Sequence, residues 1–227
     1  MTLRALIFDV DGTLAETEEA HRRAFNRAFR DANLGWVWSV DHYRKLLETT
    51  GGKERMRRHR DELGQTEPSD NDIAALHRVK TKIYDEILAA GGQQLRPGVA
   101  ALIERARAAG LKIAVATTTN RPNVDALCQC CWGRPADQVF DVIAAGDEVT
   151  SKKPAPDVFL LALKRLGLPA SDAIAFEDSV NGLRSAQSSG LRTLVTPSAY
   201  TAHQDFSAAQ WVVNDLTSDR LPSELQF

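Results

Sequence analysis

Two carboxylates two residues apart stand near the amino terminus, in Asp9-Val10-Asp11-Gly12-Thr13. The run ahead of them, Leu3 to Phe8, is short and rich in apolar β formers, so it reads as a buried strand that delivers both acids at its carboxyl end. Two acids this close repel each other and are costly to bury. A divalent cation shared with a third acid removes that cost, and Glu177-Asp178, at the end of a second predicted strand, can supply the third acid. Mg²⁺ suits such a set, because it takes oxygen ligands and keeps waters and substrate phosphate in its shell. With the charge neutralised, a carboxylate can approach an anionic phosphate. Asp9 can then act as nucleophile and carry the phosphoryl group. Asp11 can protonate the leaving oxygen and later activate water. Gly12 permits the tight turn that aims both acids inward. By itself DVDGT also reads as an acidic β-turn; the second acidic pair is what favours the metal.

Two further stretches could complete a phosphate site. Thr117-Thr118-Thr119-Asn120 places hydroxyls at a strand end and backbone N–H groups at a helix start, which can cradle a phosphate. The same residues are also an ordinary turn with an N-cap. Lys153, in Ser151-Lys152-Lys153-Pro154, can neutralise charge on a transferring phosphoryl group. A lone KKP is otherwise a solvated loop.

These residues need a scaffold that gathers distant segments. From Glu16 to about Asp31 the pattern is helical, with Ala20, Ala24, Phe25, Ala28 and Phe29 on one stripe. Another helix is expected near Gly52, and Ser69 to Asp72 reads as a capping box opening a helix to about Ala90. After Pro97 the rhythm changes. Helices over 97–109, 123–131, 156–166 and 180–188 alternate with strands over 111–116, 141–145, 173–176 and 191–196, and a last short strand over 211–213. The alternation predicts an α/β fold, a Rossmann-like parallel sheet with helices on both faces. Ligands bind such sheets at the carboxyl ends of the strands, where Asp9, Thr117, Glu177 and Asp178 fall. The core is then discontinuous, residues 1–14 with 95–227, and residues 15–94 form an inserted helical cap domain.

The 227 residues suffice for this pair of domains. Lys and Arg number 28 against 30 Asp and Glu, a net charge of −2, which gives no reason to expect a nucleic-acid or membrane partner. No apolar run approaches the ~20 residues that span a bilayer, and the amino terminus is too briefly apolar for a signal peptide. A cytoplasmic monomer is expected. Cys128, Cys130 and Cys131 are an odd, clustered set with no disulfide framework and no zinc-ligand spacing, and read as helix-face residues.

The four chemical stretches, in this order, resemble the motifs of the haloacid-dehalogenase superfamily of phosphotransferases. DVDGT looks like its first motif, Thr117 matches its second, Lys153 in KPAPDVF its third, and EDSVNG its acidic fourth. The resemblance implies an Asp9 nucleophile, an Asp11 acid/base, and Mg²⁺ held by Asp9, the Asp11 carbonyl and Asp178, with Glu177 in the shell. The dehalogenase branch fits poorly, since carbon–halogen cleavage needs neither a second acid nor a metal. The helical insertion resembles the cap of the β-phosphoglucomutase-like subfamily. Within it AETEEAHRRAFNRAF, TTGGKERM and EDSVNGLRSA look most like the CbbY-type phosphatases. That resemblance implies removal of a phosphate from xylulose-1,5-bisphosphate, a sugar bisphosphate that inhibits Rubisco. A phosphosugar mutase, a broader phosphoglycolate or sugar-phosphate phosphatase, and a non-catalytic metabolite sensor are the competing readings.

A sugar bisphosphate needs a second anion subsite, expected on the cap. Thr50-Gly51-Gly52-Lys53 combines backbone N–H groups, a Lys and a helix start, and Arg57 lies one turn on. The same basic helix, RMRRHR, also reads as a solvated face. Glu16, Glu18 and His21 follow the first motif and could hold sugar hydroxyls or orient Asp11; first-turn acids also simply complement a helix dipole. On the long cap helix His77, Arg78 and Lys80 are further candidates. The hinges are expected near Ala15 and Leu95-Arg96-Pro97, with cap closure excluding water.

Overall fold

The computed structural model describes residues 2–217 and 221–227. In chain order the elements are β1 (Ala5–Phe8), α1 (Glu18–Asp31), α2 (Val40–Leu46), α3 (Gly52–Glu62), α4 (Asp70–Ala89), α5 (Val99–Ala108), β2 (Lys112–Ala116), α6 (Arg121–Trp132), α7 (Ala136–Val139), β3 (Val142–Ala144), α8 (Asp157–Leu166), β4 (Ala173–Glu177), α9 (Val180–Ser188), β5 (Arg192–Val195) and β6 (Trp211–Val212). The chain divides into two compact units, Met1–Glu16 with Gln93–Phe227, and Thr17–Gly92.

The first unit is built on a parallel sheet, as its alternating pattern requires. Among the described residues it has six strands in the order β3-β2-β1-β4-β5-β6. β1 is central and pairs with β2 on one side, Phe8 against Val115, and with β4 on the other, Phe8 against Phe176. All four β1 residues are buried, because helices cover both faces and no side of the strand meets water. Phe8 and Phe176 stack at 4.4 Å across the β1–β4 pair. One face packs Ile7, Ala114 and Ala175 against Val158, Phe159 and Ala162 of α8. Small residues on the strands let that helix sit close. The consequence for function is geometric: β2, β1 and β4 are neighbours, so the residues that follow them emerge side by side.

The second unit is a four-helix block, α1 to α4, around an aromatic core. Phe25 and Phe29 of α1 pack on Trp38 with ring centroids 4.7 and 4.8 Å away. Ser69 caps α4 by accepting from the Asp72 N–H, and the Asp72 carboxylate accepts in return from Ser69 N, the reciprocal box expected from the sequence. α2 was not expected. It is seven residues long, too short for a periodicity to declare itself, and starts where Ser39 accepts from the His42 N–H. Among the described residues no helix is long and apolar enough to cross a membrane.

Candidate active site

β1 ends at Phe8, β2 at Ala116 and β4 at Glu177, so Asp9, Thr117 and the pair Glu177-Asp178 leave three adjacent parallel strands at the same edge. Carboxylate oxygens of Asp9, Glu177 and Asp178 all lie within 4.8 Å of one another, and all three residues are buried. Lys153 arrives from the loop before α8, with 3% of its surface exposed. Its ammonium donates to Asp9 Oδ1 at 2.6 Å, to Glu177 Oε1 at 2.6 Å and to the Ala116 carbonyl at 2.8 Å. An ammonium has three N–H donors, and here one goes to the end of each strand.

The charges do not balance. One ammonium faces two buried carboxylates, with Asp178 beside them. Burial pushes Asp9 above the ordinary Asp range; Lys153 opposes that push and Asp11 reinforces it. Burial likewise pushes Glu177 from 4.5 up to about 7, against the pull of Lys153 and with the help of Asp9. Burial alone would lower Lys153, but the Asp9 and Glu177 carboxylates outweigh it and keep the ammonium charged. Such a pocket has an excess of hard oxygen donors in low dielectric, which suits a divalent cation of the magnesium kind. Close approach of the backbone supports the same reading. Gly12 has φ +86°, and a methyl group there would overlap the Asp178 carboxylate; one on Gly182 would overlap Glu177. Both glycines leave the acids room to converge.

Asp11 is half-buried on the turn after Asp9. Arg96, not expected as a site residue, locks that turn. Its guanidinium donates to the Gly12 carbonyl, to the Thr196 carbonyl at 2.7 Å and to the Pro197 carbonyl at 2.9 Å, and lies 3.5 Å from the exposed Glu16 carboxylate. Thr201 supports Asp178 by donating to its backbone carbonyl at 2.7 Å. The position of Arg96 beside a predicted hinge is a sequence signal that could have pointed to it; nothing local points to Thr201.

Thr117 is buried at the β2 end, and its hydroxyl accepts from the Thr119 N–H at 3.2 Å. Thr118, Thr119 and Asn120 form the turn into α6. Thr119 accepts from the Asn123 side chain at 2.7 Å, and Asn120 accepts from the Asn123 N–H at 3.0 Å, so the N-cap reading of this run is realised.

In the second unit the candidates separate into two groups. Glu18 and His21 are buried within it. Tyr43 donates to Glu18 at 2.7 Å and in turn accepts from Arg55 at 2.7 Å. Lys80, itself buried, donates to His21 Nδ1 at 2.6 Å, and His21 stacks on Tyr84 at 4.0 Å. Thr50 and Gly51 lead into α3, and Gly52 and Lys53 are its first residues. Gly51 has φ +91°, and a methyl group on Gly52 would fall 2.5 Å from His77 Nε2. The other group lies nearer the surface. Arg57 pairs with Asp70 at 3.1 Å, and Arg78 is exposed. Arg55, which the sequence reading passed over for Arg57, is the less exposed of the two.

Residues 3–190 match the family described as haloacid dehalogenase-like hydrolase. The chain belongs to that family. It is an enzyme, a hydrolase of the phosphatase kind. Among relatives of this hydrolase, Protein CbbY of Rhodobacter capsulatus is 60% identical over 218 residues, 96% of each chain. The crystal structure of a CbbY variant from Rhodobacter sphaeroides in complex with Xylulose-(1,5)bisphosphate superposes with a TM-score of 0.90 at 49% identity, over 95% of each chain. A β-phosphoglucomutase from Clostridium difficile shares the fold, with a TM-score of 0.80 at 19% identity over 95% of this chain and 92% of its own.

Proposed function

We propose that this hydrolase is a Mg²⁺-dependent phosphatase that removes one phosphate from a sugar bisphosphate, xylulose-1,5-bisphosphate, through an aspartyl phosphate on Asp9. The observation that carries the reading is the convergence of Asp9, Glu177 and Asp178 within 4.8 Å, with Lys153 bonded to Asp9. The relative crystallised with the same bisphosphate supports the choice of substrate. Asp9, the Asp11 carbonyl and Asp178, with Glu177 alongside, would hold Mg²⁺, which supplies neutralisation of the phosphate oxygens.

The chain's own residues perform the transfer. An Asp9 oxygen attacks phosphorus, and the bond from phosphorus to the sugar oxygen breaks. Asp11, as the acid, gives its proton to the leaving sugar oxygen. Asp11, now a carboxylate, takes a proton from water as the water oxygen attacks the aspartyl phosphate. The acyl–phosphate link breaks at phosphorus, Asp9 returns as a carboxylate and inorganic phosphate departs. Lys153 favours the ionised form of Asp9, orients it, and counters charge developing on the phosphoryl group. Thr117 and the N–H groups of Thr118, Thr119 and Asn120 bind the phosphoryl oxygens. For the second phosphate the proposed residues are Thr50, Gly51, Gly52, Lys53, Arg57 and Arg78, and for the sugar hydroxyls Glu16, Glu18 and His21. In this role the enzyme is a cytoplasmic monomer of the Calvin cycle that clears an inhibitor of Rubisco.

A phosphate-release panel tests the reading: xylulose-1,5-bisphosphate, ribulose-1,5-bisphosphate, β-glucose-1-phosphate and phosphoglycolate, each with Mg²⁺ and with a chelator. Xylulose-1,5-bisphosphate should be preferred and the chelator should abolish release. Asp9→Asn should lose turnover and keep bisphosphate binding. Equal turnover of phosphoglycolate, or sugar-phosphate conversion without free phosphate, would overturn it. Lys53→Ala should weaken the bisphosphate more than a monophosphate.

A further inference from the structure

The basic run of α3 holds a histidine that the active site does not use. His59 is buried, and its ring meets the edges of Trp36 and Trp38 with centroids 5.0 and 5.6 Å away. Its Nδ1 lies 3.1 Å from Nε2 of His42, on α2. Glu62, three residues on from His59 along the same helix, completes a set whose donor atoms lie within 4.8 Å of one another. We propose that His42, His59 and Glu62 form a binding site for a first-row transition-metal ion of the Zn²⁺ class, separate from the carboxylate cluster at Asp9.

Three observations lead there. The first is the bite. Two Zn–N bonds of about 2.0–2.1 Å meeting at roughly 90–110° hold their nitrogens about 2.9–3.4 Å apart. The observed 3.1 Å already has that spacing. His42 is half-buried, so its ring has room to rotate and bring its Nε2 lone pair onto an ion held at His59 Nδ1. The second is rigidity. Two indoles fix the His59 ring, so one ligand is set before binding and little side-chain entropy remains to be lost. The third is the donor set. Two imidazoles and one carboxylate suit Zn²⁺, Ni²⁺ or Cu²⁺, whereas Mg²⁺ wants oxygen alone, so the two metal sets discriminate by chemistry. Arg58 donates to Glu62 Oε1 at 2.7 Å. An ionised carboxylate has about four lone-pair sites, so that bond and a metal bond can coexist. A bound ion would tie α2 to α3.

The test is a Zn²⁺ titration by calorimetry on an Asp178→Asn background with excess Mg²⁺, so that the carboxylate cluster does not compete. One saturable equivalent is expected, with a rise in the thermal midpoint on saturation. His42→Gln should weaken binding by about tenfold or more, and Glu62→Gln, an exposed change, by severalfold. Melting without Zn²⁺ checks that both variants are folded. Absence of a saturable equivalent would overturn the site. So would unchanged affinity in either variant.

Discussion

Loading the acid cluster with magnesium should expel a proton, and Glu177 should decide how many leave at each pH. The folded protein holds this group at about 7, because burial and Asp9 outweigh Lys153. It is then about nine-tenths protonated at pH 6, half at pH 7 and about one-tenth at pH 8. A cation in the cluster favours the carboxylates, so binding should release at least those fractions of a proton, with Asp9, also pushed up by burial, adding to them at the acid end. Lys153 stays charged throughout and adds nothing. Below pH 7 the apparent Mg²⁺ affinity should therefore rise about tenfold per pH unit, flattening above roughly pH 8. The same shift has a stability side. Its folded value lies above the unfolded 4.5, so the stabilisation it brings is complete below 4.5 and is lost as pH rises through about 7. Over that window the loss is about 3 kcal/mol, from about 1.4 kcal/mol per pKa unit. Calorimetric titration of Mg²⁺ in pairs of buffers with different protonation heats, at pH 6, 7 and 8, counts the protons directly. Glu177→Gln should sharply reduce both the release near pH 7 and the steep pH dependence there. Equal release at pH 6 and pH 8, or an unaltered profile in Glu177→Gln, would refute the reasoning.

Three other outcomes are expected. Arg96→Lys should lower kcat by about tenfold with a smaller effect on KM, because an ammonium cannot reproduce the fork that grips Gly12, Thr196 and Pro197; steady-state kinetics with the phosphate ester that is turned over fastest separates the two. Gly182→Ala should cost about 1–3 kcal/mol in urea unfolding and at least tenfold in kcat, because the added methyl displaces the Glu177 carboxylate that shares Lys153 with Asp9. Burial, with Lys80, Lys53, Arg55 and His21 adding to it, pushes His77 from 6.5 down to about 3. The folded value is the lower one, so its stabilisation is complete above 6.5 and is lost as pH falls toward 3. His77→Gln should flatten the fall in urea midpoint between pH 6.5 and 4, removing up to about 1.4 kcal/mol per pH unit.

Much of this protein could be read along the chain. The apolar run into Asp9, the Ser69 capping box and the alternation after Pro97 are local signals, and each element forms for reasons contained in a few neighbouring residues. The parallel sheet followed from that alternation, and so did the strand ends at which Asp9, Thr117 and Glu177 lie. The cysteines also behave as read: Cys128 is buried, and burial, with Asp125 and Cys131 nearby, pushes its thiol up to about 12, which leaves it inert as a nucleophile.

Other features depended on distance in three dimensions. α2 was invisible because seven residues give too few turns for a stripe, and Tyr43 and Leu46 are buried by packing from elsewhere. Arg55 and Arg57 are two residues apart on one helix and look alike in sequence; the partners Tyr43 and Asp70 make the first the less exposed of the two. Lys153 was legible as a candidate to neutralise phosphoryl charge; that it is nearly inaccessible and joins the ends of three strands was not. Arg96 read only as part of a hinge. Periodicity and capping act over a turn or two of chain, so a sequence displays them directly. The pairing of residues 144 positions apart, as in Lys153 and Asp9, and the burial that shifts their charges arise only when strand order brings them to one edge.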